Sequence, residues 1–132
     1  MKSAIILFAH GARDPEWAQP FHKIRDLVVK QFPTTLVKVA FLELMQPSLI
    51  DSVTELHAQD IQHITLVPLF LARGGHLKQD IPRLMTDIQQ QFPDIQIYTA
   101  PAIGEAPEIL NGIALWVMAH HRQVVAQHEA GT

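Results

Sequence analysis

The apolar residues of this chain change their period several times, and that alternation constrains the fold more than any other feature. Ser3–Ala9 carry a continuous apolar run, as expected of a strand buried on both faces. The apolar positions that follow are Trp17, Phe21, Ile24, Val28 and Phe32, spaced by threes and fours along one face of a helix. Asp14 is placed to cap that helix, Pro15 suits its first position, and Pro33 ends it. Residues 36–42 predict a second strand, and Pro47 opens a second helix with Leu49, Ile50, Val53 and Leu56 inward. A third strand is expected over 61–71, with Pro68 making it irregular or marking a strand end. Gly74-Gly75 reads as a loop. Asp80 and Pro82 start a third helix carrying Ile81, Leu84, Met85, Ile88 and Phe92. Residues 94–98 form a short fourth strand. Pro107 begins a last helix through Ile109, Leu110, Ile113, Trp116 and Val117, and a polar tail from about Arg122 is expected to fray. Strands alternating with helices in this way imply an α/β fold: a parallel sheet with helices on both faces.

In such a sheet the carboxyl ends of the strands face one crevice, where ligands bind. His10 ends the first apolar run, Glu43 ends the second, and His76 follows the third through Gly74-Gly75. Two imidazoles and a carboxylate converging there would suit a divalent transition ion. The plainer alternatives are a loop hydrogen bond for His10, a surface position for His76 and a structural ion pair for Glu43. Their joint placement at strand ends favours the site. Arg13, Arg73 and Lys78 flank the same crevice in sequence and would select an anionic ligand, with ordinary surface charge as the alternative. Met45 and Phe70 could line an apolar floor for a flat ligand, although Phe70 also suits the core. His22, His57, His63, His120, His121 and His128 read as structural, the pair at 120–121 closing the last helix.

The bulk numbers exclude several classes. With 132 residues the chain has the length of one ordinary domain, taken here as 1–132 without internal repeat or linker. It is 48% hydrophobic and 17% charged, too apolar for a disordered chain. A formal net charge of -3 without a basic run gives no footprint for nucleic acid. The absence of cysteine removes disulfides, thiolate metal sites and thiol catalysis. No stretch approaches the about 20 apolar residues of a membrane span, and the first apolar run lacks a convincing cleavage site, so a cytoplasmic location is expected.

Three segments carry a resemblance. His10-Gly11-Ala12-Arg13-Asp14-Pro15, then Phe41-Leu42-Glu43-Leu44-Met45-Gln46-Pro47-Ser48-Leu49, then Pro68-Leu69-Phe70-Leu71-Ala72-Arg73-Gly74-Gly75-His76-Leu77-Lys78-Gln79-Asp80-Ile81-Pro82 resemble the short-form sirohydrochlorin chelatases. These are class II, ATP-independent chelatases of cobalamin and siroheme synthesis. The likeness covers about residues 1–120. It implies a flavodoxin-like, chelatase-like four-stranded parallel sheet. It also implies a chain equal to one half of the two-domain members, and hence a symmetric homodimer. The family's metal-handling histidines fall on His10 and His76, and its acid on Glu43. Co²⁺ or Fe²⁺ is then a substrate, with no organic cofactor, and the carboxylates of the tetrapyrrole substrate would meet Arg13, Arg73 and Lys78. Two positions depart from the family pattern. Ala12 stands where serine is frequent, and Ala106 precedes Pro107 where a histidine is frequent.

The expected chemistry is insertion of the metal, with one histidine accepting a pyrrole proton and Glu43 offsetting charge or relaying the proton. A metal or tetrapyrrole carrier without chelatase activity would use the same residues. A flavin or nucleotide binder is disfavoured because the loop after the first strand lacks a Ser/Thr-rich phosphate cradle. A serine hydrolase is disfavoured because no Gly-x-Ser-x-Gly elbow is present.

Overall fold

The first apolar run becomes β1 (Ser3–Ala9), and the sheet is built outward from it. A computed structural model describes residues 2–72 and 74–131, apart from the side chains of Gly75, His76 and Leu77. β2 (Leu36–Phe41) and β3 (His63–Pro68) flank β1, and β4 (Gln96–Thr99) pairs with β3 at one edge. All pairings are parallel and the order is β2-β1-β3-β4. Ile5 lies opposite Val37 on one side and Thr65 on the other. The expected four-stranded parallel sheet with helices on both faces is therefore present.

Strand alternation splits β1 between two apolar layers. Ala4, Ile6 and Phe8 point to one side, where α2 (Leu49–Ala58) contributes Leu49, Val53 and Leu56 and α3 (Gly75–Gln91) contributes Ile81 and Ile88. Leu7 and Ala9 point to the other, where Val39 and Phe41 of β2 meet Ala18, Trp17 and Phe21. That second layer lies under a 3-10 turn (Pro15–Ala18) and α1 (Gln19–Gln31). Asp14 caps the turn, its Oδ1 accepting from the Glu16 amide at 3.0 Å, with Pro15 following as expected. Ile24 and Phe32, expected inward, are exposed.

Several boundaries differ from the sequence reading. Ser48, rather than Pro47, starts α2, its Oγ accepting from the Asp51 amide at 3.2 Å. β3 is shorter than 61–71 and ends on Pro68, which offers no N–H to continue a ladder. β4 starts at Gln96, because Asp94 and Ile95 belong to a turn closed by the Ile95 amide on the Phe92 carbonyl at 3.1 Å.

The third helix begins at Gly75, not near Asp80. Pro82 lies inside it on the exposed side, where the partner it denies to the preceding turn can be replaced by water. The expected stripe is otherwise correct, with Leu84, Met85 and Phe92 packed on the core beside Ile81 and Ile88.

The largest departure is α4 (Pro107–Ala130). The tail from Arg122 does not fray but continues the helix to Ala130, since 122–130 contains good helix formers and neither glycine nor proline. His120 and His121 consequently lie within the helix rather than at its end. The stripe expected to face the core is not covered, because α4 contains no buried residue. Among the described residues, no helix is long and apolar enough to cross a membrane.

Candidate active site at the carboxyl edge of the sheet

Backbone pairing between β1 and β2 continues past both strand ends and sets His10 beside Glu43. The Leu42 amide donates to the Ala9 carbonyl at 2.9 Å, and the Glu43 amide donates to the His10 carbonyl at 3.0 Å. The next residue, Gly11, has φ +100°, a conformation that side chains resist. A Cβ there would stand 1.9 Å from the Glu43 carbonyl oxygen, so only glycine lets the two segments approach this closely. The loop then turns sharply. Leu44 adopts φ +66°, the Met45 amide donates to the Glu43 carbonyl at 2.8 Å, and the Phe41 amide donates to the Pro47 carbonyl at 2.9 Å.

The two side chains meet, with His10 Nε2 2.9 Å from Glu43 Oε1. They are 45% and 54% exposed respectively, so the pair borders solvent rather than bracing the core. A contact this open contributes at most about 1 kcal/mol to stability. Its chemical value is larger. A carboxylate on one ring nitrogen fixes the orientation and tautomer of an imidazole. Two ligands bound at right angles to one cation, each at about 2.1 Å, also stand about 3 Å apart, close to the observed separation.

Phe70, which follows β3, stands beside His10. It is buried, meets Phe8 edge-on at 5.6 Å between ring centres, and meets the His10 ring edge-on at 6.3 Å. Phe70 is therefore both a core residue and a wall against which His10 rests. A cleft of about 210 Å³ opens beside it, lined by Phe70, Leu71, Lys78, Ala102, Gly104 and Glu105. Gly104 closes this cleft tightly. Its amide donates to the Phe70 carbonyl at 3.1 Å, and a Cβ on it would fall 1.6 Å from the Leu71 carbonyl oxygen. Glu105 also lines the cleft, and its only signal in the sequence is its place just before Ala106-Pro107. Nothing in the pattern pointed to Gly104, because the close approach it permits is a tertiary contact.

The remaining expected residues distribute as follows. His76 is the second residue of α3, the helix that leaves the same carboxyl edge, and its side chain lies outside the described residues. Arg73 also lies outside them. Arg13 is exposed on the loop after β1, and Lys78 is exposed on α3 at the cleft. Met45 is half-buried and packs on the α1 side of the sheet, whereas Phe70 belongs to the layer under α2 and α3. The two do not share an apolar layer. Among the described residues, no group of three His, Cys, Asp or Glu side chains converges on one point. His10 and Glu43 are the two that the structure brings together. Of the other histidines, His57 bonds Asp94 at 3.0 Å away from this edge, and His120 Nδ1 lies 2.9 Å from the Trp116 carbonyl.

Comparison with known proteins gives consistent results. The CbiX family model matches residues 4–115. The sirohydrochlorin cobaltochelatase of Saccharolobus solfataricus is 37% identical over 106 residues, which span 76% of this chain and 81% of that protein. Among solved structures, a CbiX protein from Marinobacter aquaeolei VT8 superposes with a TM-score of 0.80 at 31% identity, over 92% of this chain and 98% of that one. The cobalt complex of the sirohydrochlorin chelatase SirB from Bacillus subtilis subspecies spizizenii superposes with a TM-score of 0.63 at 31% identity. That match covers 78% of this chain but 44% of the SirB chain.

Proposed function

The chain belongs to the CbiX family, and on that premise we propose that it is a sirohydrochlorin chelatase, inserting Co²⁺ or Fe²⁺ into the macrocycle without nucleotide hydrolysis. The product would serve cobalamin or siroheme synthesis. The observation that carries this reading is the His10–Glu43 pair, 2.9 Å apart at the carboxyl edge and open to solvent. The relatives' names support the same substrate class, sirohydrochlorin, and cobalt as a metal.

In this reading the metal ion is a substrate that must be held weakly and released. Neutral imidazole and carboxylate bind such ions through nitrogen and oxygen without the tenacity of thiolates. His10 and His76 hold the ion over the ring. As M²⁺ binds the pyrrole nitrogens it displaces two N–H protons, one accepted by one of these histidines and the other passed to solvent water. Glu43 orients His10 and, as an oxygen ligand beside it, balances the charge of the ion, or passes the proton on. The edge of Phe70 limits how far the His10 ring can swing. Lys78, with Arg13 and Arg73, meets the carboxylates of the tetrapyrrole. Met45 borders the loop that presents Glu43 and is assigned to the substrate side of it. The match to SirB takes up 78% of this chain but only 44% of the SirB chain, which supports a homodimer in which two copies close one cleft.

Glu43→Gln retains the size of the side chain and removes its charge. The rate of insertion, followed by the absorption change of sirohydrochlorin with Co²⁺, should fall about 10- to 100-fold, the range seen when a partner that orients a metal ligand is lost. An unchanged rate would remove Glu43 from the site. The same assay separates a chelatase from a carrier, because a carrier would leave the uncatalysed rate unaltered.

A further inference from the structure

A tetrapyrrole is a flat, apolar ring with carboxylates at its margin, so a site that holds it needs apolar surface as well as cations. Met45 and Phe70 cannot share that task, because they lie in opposite layers of the sheet. Two other side chains at the carboxyl edge are free to do so. Leu44 directly follows Glu43 and is 60% exposed, and Leu71 directly follows Phe70 and is 57% exposed. β1 runs between β2 and β3, so the segments that leave those two strands emerge on either side of His10. Two inter-strand steps set them about 10 Å apart.

Leu44 is the more telling of the two. The Met45 amide closes a tight turn on the Glu43 carbonyl at 2.8 Å, with Leu44 at its centre and φ +66°. Turns of this kind with a positive central φ are rare and strained. Leucine is disfavoured there, whereas glycine, asparagine and aspartate adopt the conformation readily. Leu44 belongs to neither apolar layer, so core burial does not offset the cost. An exposed leucine in a strained turn gives the free protein neither packing nor a suited backbone, and such outliers cluster where a ligand is held. Leu71 is fixed in another way. The Gly104 amide donates to the Phe70 carbonyl at 3.1 Å, and Gly104 passes so close that a Cβ on it would fall 1.6 Å from the Leu71 carbonyl oxygen. Its side chain stays exposed at the cleft that Lys78 also lines.

We propose that Leu44 and Leu71 form an apolar rim on the two sides of His10, against which the ring of the tetrapyrrole lies. Lys78, beside Leu71, meets a carboxylate at the margin of the ring. The rim sets the plane of the macrocycle relative to His10 and Glu43 and leaves the reacting nitrogens to those residues. The proposal rests on the chelatase reading and adds the side chains that carry the apolar part of substrate recognition.

Leu44→Asn tests it, because asparagine has nearly the shape of leucine, suits a positive φ and lacks the apolar surface. The urea midpoint of unfolding should hold or rise. The Kd for metal-free sirohydrochlorin, read from its absorption on titration, should increase at least about tenfold, as loss of one leucine's apolar contact requires. KM should rise by the same factor with kcat within about twofold, since the contact is equal in ground and transition states. Leu71→Asn should weaken binding likewise. Leu44→Met keeps the apolar volume and should bind within about threefold of wild type. Sedimentation of every variant should match wild type. Four results would each overturn the proposal: an unchanged Kd in either asparagine variant, equal losses in Leu44→Asn and Leu44→Met, a lowered unfolding midpoint in Leu44→Asn, or altered sedimentation. Binding is measured without metal and is thereby separable from insertion. Wild type that binds sirohydrochlorin without accelerating insertion defeats the chelatase reading and leaves the rim standing. Wild type that inserts metal, with both asparagine variants binding normally, defeats the rim alone, and wild type that binds no sirohydrochlorin defeats both.

Discussion

His10→Ala should reduce metal insertion into sirohydrochlorin by at least about 100-fold, more than loss of an orienting partner costs, because it removes a ligand itself. The same substitution should change the free energy of unfolding by no more than about 1 kcal/mol, since the His10–Glu43 pair is half-exposed. The two readouts together decide the role of the residue. Initial rates of the absorption change give the first, and urea unfolding gives the second. A variant with full activity removes His10 from the reaction. A variant with lost activity and several kcal/mol of lost stability makes His10 a structural residue, and the mechanism above fails.

Gly11→Ala is the substitution expected to damage both properties. The added Cβ would overlap the Glu43 carbonyl at 1.9 Å, and alanine resists φ +100°. Both the strained backbone and the overpacking are costly, and together they should lower stability by about 3 kcal/mol or more. The atom that must move is the backbone of Glu43, so insertion should fall with stability. Gly74→Ala is the matched control. Its Cβ would meet nothing within 4 Å, and a cost under about 1 kcal/mol is expected in the same unfolding experiment. Equal effects at the two glycines would show that the close approach at Gly11 does not position the site.

The central strand was legible because it is buried on both faces: β1 has the bounds its apolar run suggests. The stripes of α2 and α3 were legible for a related reason, since the core side of a helix repeats at fixed spacing. What failed was punctuation and context. Pro82 reads as a helix start, yet an exposed proline is tolerated a full turn and more inside α3. The apolar residues of α4 look like any core-facing stripe in sequence. Periodicity says that a face is apolar without saying which surface meets it, and here none of the described residues buries that face. At the site, the sequence pointed to His10 and Glu43 through the strand ends they occupy. It could not show that Gly11 permits their approach, that Phe70 stands against the imidazole, or that Gly104 seals the neighbouring cleft. Those are contacts between segments distant along the chain, and no local pattern encodes them.

The central claim is that His10 and Glu43 share one cation, and anomalous scattering at the cobalt edge from crystals grown with Co²⁺ tests it most directly. The account predicts a peak about 2.1 Å from a ring nitrogen of His10 and within similar reach of a Glu43 carboxylate oxygen, as nitrogen and oxygen ligands of such ions require. Cobalt found elsewhere, with His10 Nε2 still bonded to Glu43 as in the free protein, would contradict it.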